Sequence, residues 1–451
     1  MKHLESFLKL RPLKRNLFSN CKIVLISALS LILLTSCSTF KTATNSFKNS
    51  NAFSQGFAGL AVYDPSQQKL IYEHNADKYF TPASNIKLFS LYTGLKILGD
   101  SVPAIKYEVR GDSLIFTGMG DPSFLNPDLQ QSRVFEFLKA REEKLFYLPP
   151  AFTEKYFGPG WSWDDFNSYY SVERTSFPVY GNRVSFEFPL GAKSPSVTPL
   201  IFHDSVHLNN SMESFRGVRR DMLSNNFKYT PSLIQRSTTQ QVPFKYSNQL
   251  LVNILKDTLK MEVILLKDPG VKFKDPKTLY SIPVDSIYKR MMEESDNFIA
   301  EQILLMAGGV IADTLKTEIA IDHMLENHLQ DLPDEPQWVD GSGLSRYNLV
   351  TPRSMIQLLI KIKKEIPQER LFNILATGGK SGTLKNSYVA PLPYIFAKTG
   401  TLRNNHSLSG YLKAKSGKIL IFSFMNSNYT VPTAEIKTQM ELILRDFYEK
   451  Y

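Results

Sequence analysis

Three short polar motifs lie far apart along the 451-residue chain, and their order limits what it can fold into. Ser84-Asn85-Ile86-Lys87 comes first, Ser295-Asp296-Asn297 follows 211 positions later, and Lys398-Thr399-Gly400-Thr401 begins 103 positions after Ser295. If they share one site, much of the stretch between the first two must leave the unit that carries the site and return to it. The local patterns agree. "GFAGLAVYD" and "KLIYEH", separated by Pro65-Ser66-Gln67-Gln68, read as a hairpin, and "SLSGYLKA" and "KILIFSFMNS" read as a second hairpin before an amphipathic helix over about 432–450. From 107 to 282 the chain turns to short strand-like pieces such as "NRVSFEFPL" between Asn- and Ser-rich loops. Helical periodicity resumes after 283 with "DSIYKRMMEESDNFIAEQILLMAGG". The expected division is one α/β (α+β) unit over 53–106 and 283–451, split by an inserted domain over 107–282.

Ser-x-x-Lys alone is weak, because composition yields roughly two or three chance copies in a chain this long. Ser38-Thr39-Phe40-Lys41 and Ser66-Gln67-Gln68-Lys69 are such copies, one in a polar stretch and one in a turn. Ser84 differs because it opens the apolar run "NIKLFSLYTGLKIL" just after Pro82, as at a helix N-terminus. On a helix, positions i and i+3 share a face, so Lys87 can reach the Ser84 hydroxyl. A serine needs such a base, and a lysine serves as one only when burial and neighbouring cations lower its pKa. Lys398 can supply the neighbouring charge. Ser295 can relay a proton to a leaving amine, and Asn297 can hold a peptide group. Lys398, Thr399, Gly400 and Thr401 form a cationic, hydroxyl-bearing strip for a terminal carboxylate. Backbone N–H groups of Ser84 and Thr401 are the expected oxyanion donors.

The conjunction of these motifs resembles that of penicillin-binding proteins and class A β-lactamases. "DGSGLSR" at 340–346, "GDPSF" at 120–124, "GWSWDD" at 160–165, "SDNFIAEQ" and "AKTGTLRNNHSLSGYL" narrow the resemblance. They are similar to the D-alanyl-D-alanine carboxypeptidase/endopeptidases of the class C, low-molecular-mass penicillin-binding proteins. That resemblance runs from about 52 to the C-terminal residue, thinly over 185–240. It implies a penicillin-recognising core with a mainly antiparallel sheet flanked by helices, an inserted second domain, and a nested third domain. The short insertion leads us to expect the third domain reduced near 186–240. The resemblance also implies peptidoglycan stem peptides as substrates, β-lactams as covalent inhibitors, and an acyl-enzyme at Ser84. It places Asp165 and Arg346 near the substrate's third side chain, meso-diaminopimelate in many Gram-negative walls. A β-lactamase would need a second base for deacylation, and no class A glutamate motif is evident. A non-catalytic wall-binding lipoprotein would have been free to lose one of the motifs, and all are intact.

The net charge of +10 falls to +5 once six basic residues and Glu5 of the first 22 residues are set aside. With no dense basic run, nucleic-acid binding is not expected. After the basic stretch comes "IVLISALSLILL", 23–34, too short to span a bilayer but suited to a signal-peptide core. Leu34-Thr35-Ser36-Cys37 resembles a bacterial lipobox, which implies removal of 1–36 and lipid attachment at Cys37. Residues 37–52 then read as a tether. The implied location is periplasmic, anchored to the inner leaflet of the outer membrane. Cys21 and Cys37 are the two cysteines, so the processed chain could form no internal disulfide. Seven scattered histidines without an HExxH pattern point to no metal, and no nucleotide-binding glycine loop points to a cofactor. Trp161 and Trp163 are expected to pack within the inserted domain.

Overall fold

A computed structural model describes residues 41–129, 132–192, 194–209, 217–230, 237–268 and 270–451. The expected signal peptide and Cys37 lie outside these residues, as do parts of the 186–240 segment.

The unit that carries the motifs is built on a six-stranded antiparallel sheet drawn from both ends of the chain. Its strands are β14 (Ala376–Thr377), β15 (Ile395–Leu402), β16 (Asn405–Lys413), β17 (Ile419–Ser427), β1 (Phe57–Asp64) and β2 (Lys69–His74), adjacent in that order. β1 closes the gap between the ends by pairing with β17, from Phe57 opposite Ser427 to Tyr63 opposite Ile421. β16 and β17 are buried along almost their whole length, side chains of both faces included. That is why "ILIFSFMNS" is nearly continuously apolar: both faces are covered, and neither needs a polar row.

On one face the closing helix Thr433–Lys450 sets Ile436, Met440, Ile443 and Phe447 against Leu420, Phe422 and Phe424. The segment read as tether joins this layer. Lys41–Asn49 and Asn51–Ser54 are helical, Ala43, Ala52 and Phe53 are buried, and the Phe47 ring stacks on His74 at 4.1 Å. The spaced apolar residues Ala43, Phe47, Ala52 and Phe53 thus dock on the sheet, although the polar composition around them reads as linker.

The other face carries the helices Lys87–Ile97, Val284–Glu293, Thr317–His328 and Pro352–Glu365 around Asn297–Ala312. The last of these, "NFIAEQILLMAGGVIA", is apolar nearly all round because the other helices enclose it. After Asn297 at its start, two polar residues break its apolar surface, Glu301 and Gln302, both fully buried.

The inserted domain begins six residues before the expected 107. β3 (Ser101–Arg110) is already part of its five-stranded sheet, with β4 (Ser113–Gly118), β5 (Lys144–Tyr147), β12 (Val263–Leu265) and β13 (Lys277–Pro283). β3 pairs with the exit strand β13, so the two crossings into the domain lie side by side. Between Arg183 and Pro243 the described residues form two three-stranded sheets. One holds β6 (Arg183–Phe188), β7 (Ser196–Thr198) and β11 (Thr238–Pro243), the other β8 (Val206–Leu208), β9 (Val218–Arg220) and β10 (Phe227–Tyr229). Their buried Phe186, Phe227 and Val242 share one apolar core with Leu114 and Phe116 of β4.

Candidate active site

The first motif folds as a tight turn before a helix. Ala83–Ile86 is a 3-10 turn and Lys87 opens the helix Lys87–Ile97. In 3-10 geometry residues i and i+3 eclipse, so the turn stacks Lys87 directly over Ser84. Ala83, a non-glycine, holds a left-handed φ of +48°. Such strain persists where surrounding structure enforces it. As the second residue of the turn, Ser84 has a backbone N–H that no carbonyl of the turn can reach.

Lys87 is fully buried, and its Nζ has three partners: Ser84 Oγ at 2.9 Å, Asn297 Oδ1 at 2.6 Å and the Ser342 carbonyl at 2.5 Å. Two of these can only accept. A neutral amine has two N–H bonds and one lone pair, so the two acceptors take the N–H bonds. The lone pair is then left for Ser84, the one partner that can donate. The arrangement selects the orientation a general base needs.

Ser295 lies between two helices rather than inside one, with φ +60°. Asp296 caps the following helix by accepting from Ile299 N at 3.0 Å, which places Asn297 at the first helical position. Asn297 donates its amide to the Tyr170 carbonyl at 2.9 Å, so both ends of its side chain are occupied by protein. In this state it positions Lys87; the peptide-holding role expected for it would require one of these bonds to exchange.

The third motif lies within β15. Lys398, also fully buried, donates to Ser295 Oγ at 2.8 Å and to the Thr399 carbonyl at 2.7 Å. Thr399 Oγ1 donates to Thr383 Oγ1 at 2.7 Å, and Thr401 Oγ1 contacts His406 Nδ1 at 2.8 Å. β14 pairs with Ala397 and Phe396 alone, which leaves β15 open from Lys398 onward on the side of the turn. Gly400 lets this edge come close: a Cβ there would lie 2.5 Å from the Pro82 carbonyl oxygen and 2.9 Å from both Ser84 N and Asn85 N. Asn85 secures the approach by donating to the Lys398 carbonyl at 3.0 Å.

Burial pushes Lys87 down to about 8, against the opposing pull of Asp340, Asp296 and Glu301. Lys398 is pushed well below the usual lysine range by burial first and by the Lys87 charge second. Among the described residues no carboxylate offsets the burial of Lys398, whereas Asp340, Asp296 and Glu301 do so for Lys87.

The carboxylates near Lys87 were not assigned roles from sequence. Asp340, fully buried, accepts from Gly343 N, Ser345 N, Asn348 Nδ2 and Trp161 Nε1 at 2.7–2.9 Å, folding "DGSGLSR" into a loop that aims the Ser342 carbonyl at Lys87. Glu301 accepts from Ser342 N at 2.8 Å and pairs with the buried Arg174 at 3.4 Å. Burial raises the Glu301 carboxyl, as does the Asp340 charge beside it. The available signals were an acid inside an apolar helix and an acid opening a glycine-rich loop. Asn85, Tyr170 and Thr383 were missed too, for their contacts come from distant segments; His406 meets Thr401 across the turn between β15 and β16.

A cleft of about 790 Å³ opens over Ser84, Ser295 and Thr401, and Asp165 and Arg346 also line it. They form no ion pair among the described residues. Asp165 accepts from Tyr170 Oη at 2.9 Å, and Arg346 donates to the Arg403 carbonyl at 3.4 Å. The decoy Ser66 is far from this in character, bonded to Asp64 in the β1–β2 turn.

Residues 42–447 match the model of the D-Ala-D-Ala carboxypeptidase 3 (S13) family. The chain belongs to this family. Within it, the chain is 22% identical over 427 residues to D-alanyl-D-alanine carboxypeptidase DacB of Haemophilus influenzae, covering 84% of this chain and 87% of that one. It is 25% identical over 430 residues to a D-alanyl-D-alanine carboxypeptidase of an Actinomadura species, covering 83% and 78%. The crystal structure of penicillin binding protein 4 from Haemophilus influenzae superposes with a TM-score of 0.69 at 19% identity, covering 90% of this chain and 98% of that one. At that identity the superposition establishes the shared fold. Family membership establishes the class of enzyme, a serine D-Ala-D-Ala carboxypeptidase of the low-molecular-mass penicillin-binding type.

Proposed function

We propose that this S13 enzyme transfers the acyl group of the penultimate D-alanine of peptidoglycan stem peptides to water through an ester on Ser84, releasing the residue beyond it as the leaving amine. The observation that carries the assignment of residues is the Lys87 amine, held by two carbonyl acceptors with its remaining direction on Ser84 Oγ. The Ser84 proton passes to Lys87 Nζ as Oγ bonds to the penultimate D-alanyl carbonyl carbon. The oxyanion lies between the Ser84 and Thr401 N–H groups. The C–N bond then breaks, the leaving amine takes a proton relayed through Ser295, and water hydrolyses the ester.

The substrate's terminal carboxylate meets Lys398, Thr399 and Thr401 on the open edge of β15. Its arrival gives Lys398 the counter-ion it lacks. A charged Lys398 in turn favours neutral Lys87, so substrate binding and activation of the base support each other. A β-lactam fits the same sequence of steps but leaves a slow ester, which is why it inhibits.

Three finer assignments complete the proposal. Asp165 and Arg346 face the ammonium and carboxylate of a diaminopimelate side chain; their place in the cleft without pairing to each other supports this. The lipobox-like residues support lipid attachment at Cys37, and the leader supports a periplasmic location at the outer membrane. The test is product analysis by mass after incubation with monomeric and cross-linked muropeptides. Loss of one terminal alanine assigns carboxypeptidase action, splitting of dimers assigns endopeptidase action, and unchanged muropeptides would contradict the proposal.

A further inference from the structure

Trp163 was expected to pack inside the inserted domain, and it does not. Its side chain is 74% exposed, and Tyr169 and Tyr170 of the same loop are 63% and 37% exposed. Its neighbour Trp161 packs edge-on to Phe157 but donates its indole N–H to buried Asp340, across from the inserted domain to the unit that carries the motifs. Large aromatic side chains grouped at a surface cost solvation without helping the fold, so such a group usually serves contact with something else.

The loop is held firmly in place. Residues Trp163–Asn167 form a 3-10 turn. Asn167 bonds the Arg220 backbone twice, accepting from its N–H at 2.7 Å and donating to its carbonyl at 3.1 Å. The Arg220 guanidinium lies over the Phe166 ring at 5.2 Å. The aromatic faces are thus presented by a fixed support on β9, with little ordering left to do on binding.

They border a groove of about 1230 Å³ whose other walls mix polar and apolar groups: Thr239, Gln241 and the Lys228–Asp221 ion pair, beside Val218 and Met222. The groove is neither wholly apolar, as a protein-docking face would be, nor densely basic, as a polyanion site would be. Flat aromatic faces beside carboxamide, hydroxyl and charged groups suit a pyranose ring, which has apolar C–H faces and a hydroxyl rim. The groove continues the catalytic cleft: Tyr169, Tyr170 and Gln241 line both. The same Tyr170 holds Asn297 through its carbonyl.

We propose that this groove is a subsite for the amino-sugar glycan from which the stem peptide hangs, with Trp163 as its stacking platform. The inference rests on the peptidase reading above, because a stem peptide with its carboxyl end at Ser84 leads its amino end, and the sugar attached there, out of the cleft. It makes the inserted domain a reader of the polymer, favouring peptide still attached to glycan over free peptide.

Two measurements on the full chain test it. In the first, cleavage of a disaccharide-linked pentapeptide is compared with that of the same free pentapeptide. Wild type should show about tenfold higher kcat/KM on the linked substrate. Trp163→Ala should lose that advantage through KM, Trp163→Phe should retain part of it, and both should cleave free peptide and acylate with penicillin as wild type does. Equal rates on the two substrates, or an equal loss on both in Trp163→Ala, would overturn the proposal. The second measurement needs no catalysis: binding of peptide-free glycan chains to Ser84→Ala protein, followed by tryptophan fluorescence. Binding that Trp163→Ala abolishes supports the subsite even if no peptide is cleaved, a result that would count against the peptidase reading alone. Absence of binding, or a Trp163→Ala variant that binds glycan normally but changes its oligomeric state, would overturn the subsite.

Discussion

Gly400→Ala is the smallest change that should separate the nucleophile from its carboxylate-binding strand. The new methyl would sit 2.5 Å from the Pro82 oxygen and 2.9 Å from the Ser84 and Asn85 nitrogens, where ordinary contact begins near 3.4 Å. All three obstacles are backbone, so no rotamer change relieves them. The turn and β15 must part by about 0.9 Å to restore contact distance to Pro82. That shift stretches the 3.0 Å bond from Asn85 to the Lys398 carbonyl and moves the Ser84 and Thr401 N–H groups apart. A displacement near 1 Å in a catalytic constellation costs about 100-fold in rate. Overpacking should also remove about 1–3 kcal/mol of stability. The assay is the second-order rate of acylation by a fluorescent penicillin, with a thermal melt on the same sample. Gly118→Ala is the control, since a Cβ there would overlap the Ser176 carbonyl and Phe177 inside the inserted domain. It should lower the melting temperature by a similar amount and leave acylation within a few-fold of wild type. Unchanged acylation in Gly400→Ala, or an equal loss in Gly118→Ala, would refute the argument from close approach.

Acylation should rise with pH through about 8 and fall below it, since neutral Lys87 is the base; at pH 6 only about one molecule in a hundred carries it. Glu301→Gln removes a charge that favours protonated Lys87, so the acid limb should move to lower pH; a limb that stays or moves upward counts against this. Asp165→Asn should cost a diaminopimelate-bearing substrate about 1–3 kcal/mol in transition-state stabilisation and spare one with an uncharged alkyl side chain. An equal loss on both would make Asp165 part of the scaffold. Cys37→Ser should leave the protein soluble or unprocessed, where wild type fractionates with membranes and carries a lipid-modified N-terminal cysteine by mass spectrometry; a soluble, unmodified wild type would remove the anchor from the account.

The catalytic motifs were legible because each is local. Ser84 and Lys87 need one turn to meet, Asp296 caps the helix that Asn297 opens, and Lys398 through Thr401 lie along one strand. The closing hairpin was equally plain from its two strand-like runs around a short polar turn. What stayed hidden depends on contacts between segments far apart in sequence. Glu301 acts on Lys87 through its charge and through Ser342, and Asp340 shapes its loop with help from Trp161 in the other domain. Ser295 read as helical because its neighbours are good helix formers, but the +60° backbone at that residue breaks the helix there. The tether reading failed over 41–52 because a few apolar residues outweigh a polar composition once a sheet face is available to cover. Trp163 read as core from its residue type, and type alone cannot say which of two nearby tryptophans faces outward.

The most direct test of the central claim is to find where penicillin attaches. Protein is incubated with a β-lactam, digested, and the adduct located by tandem mass spectrometry, with Ser84→Ala and Lys87→Ala in parallel. The account predicts one adduct, on the Ser84 side chain, absent in Ser84→Ala and forming far more slowly in Lys87→Ala. An adduct on any other residue, or labelling that survives Ser84→Ala, would contradict it.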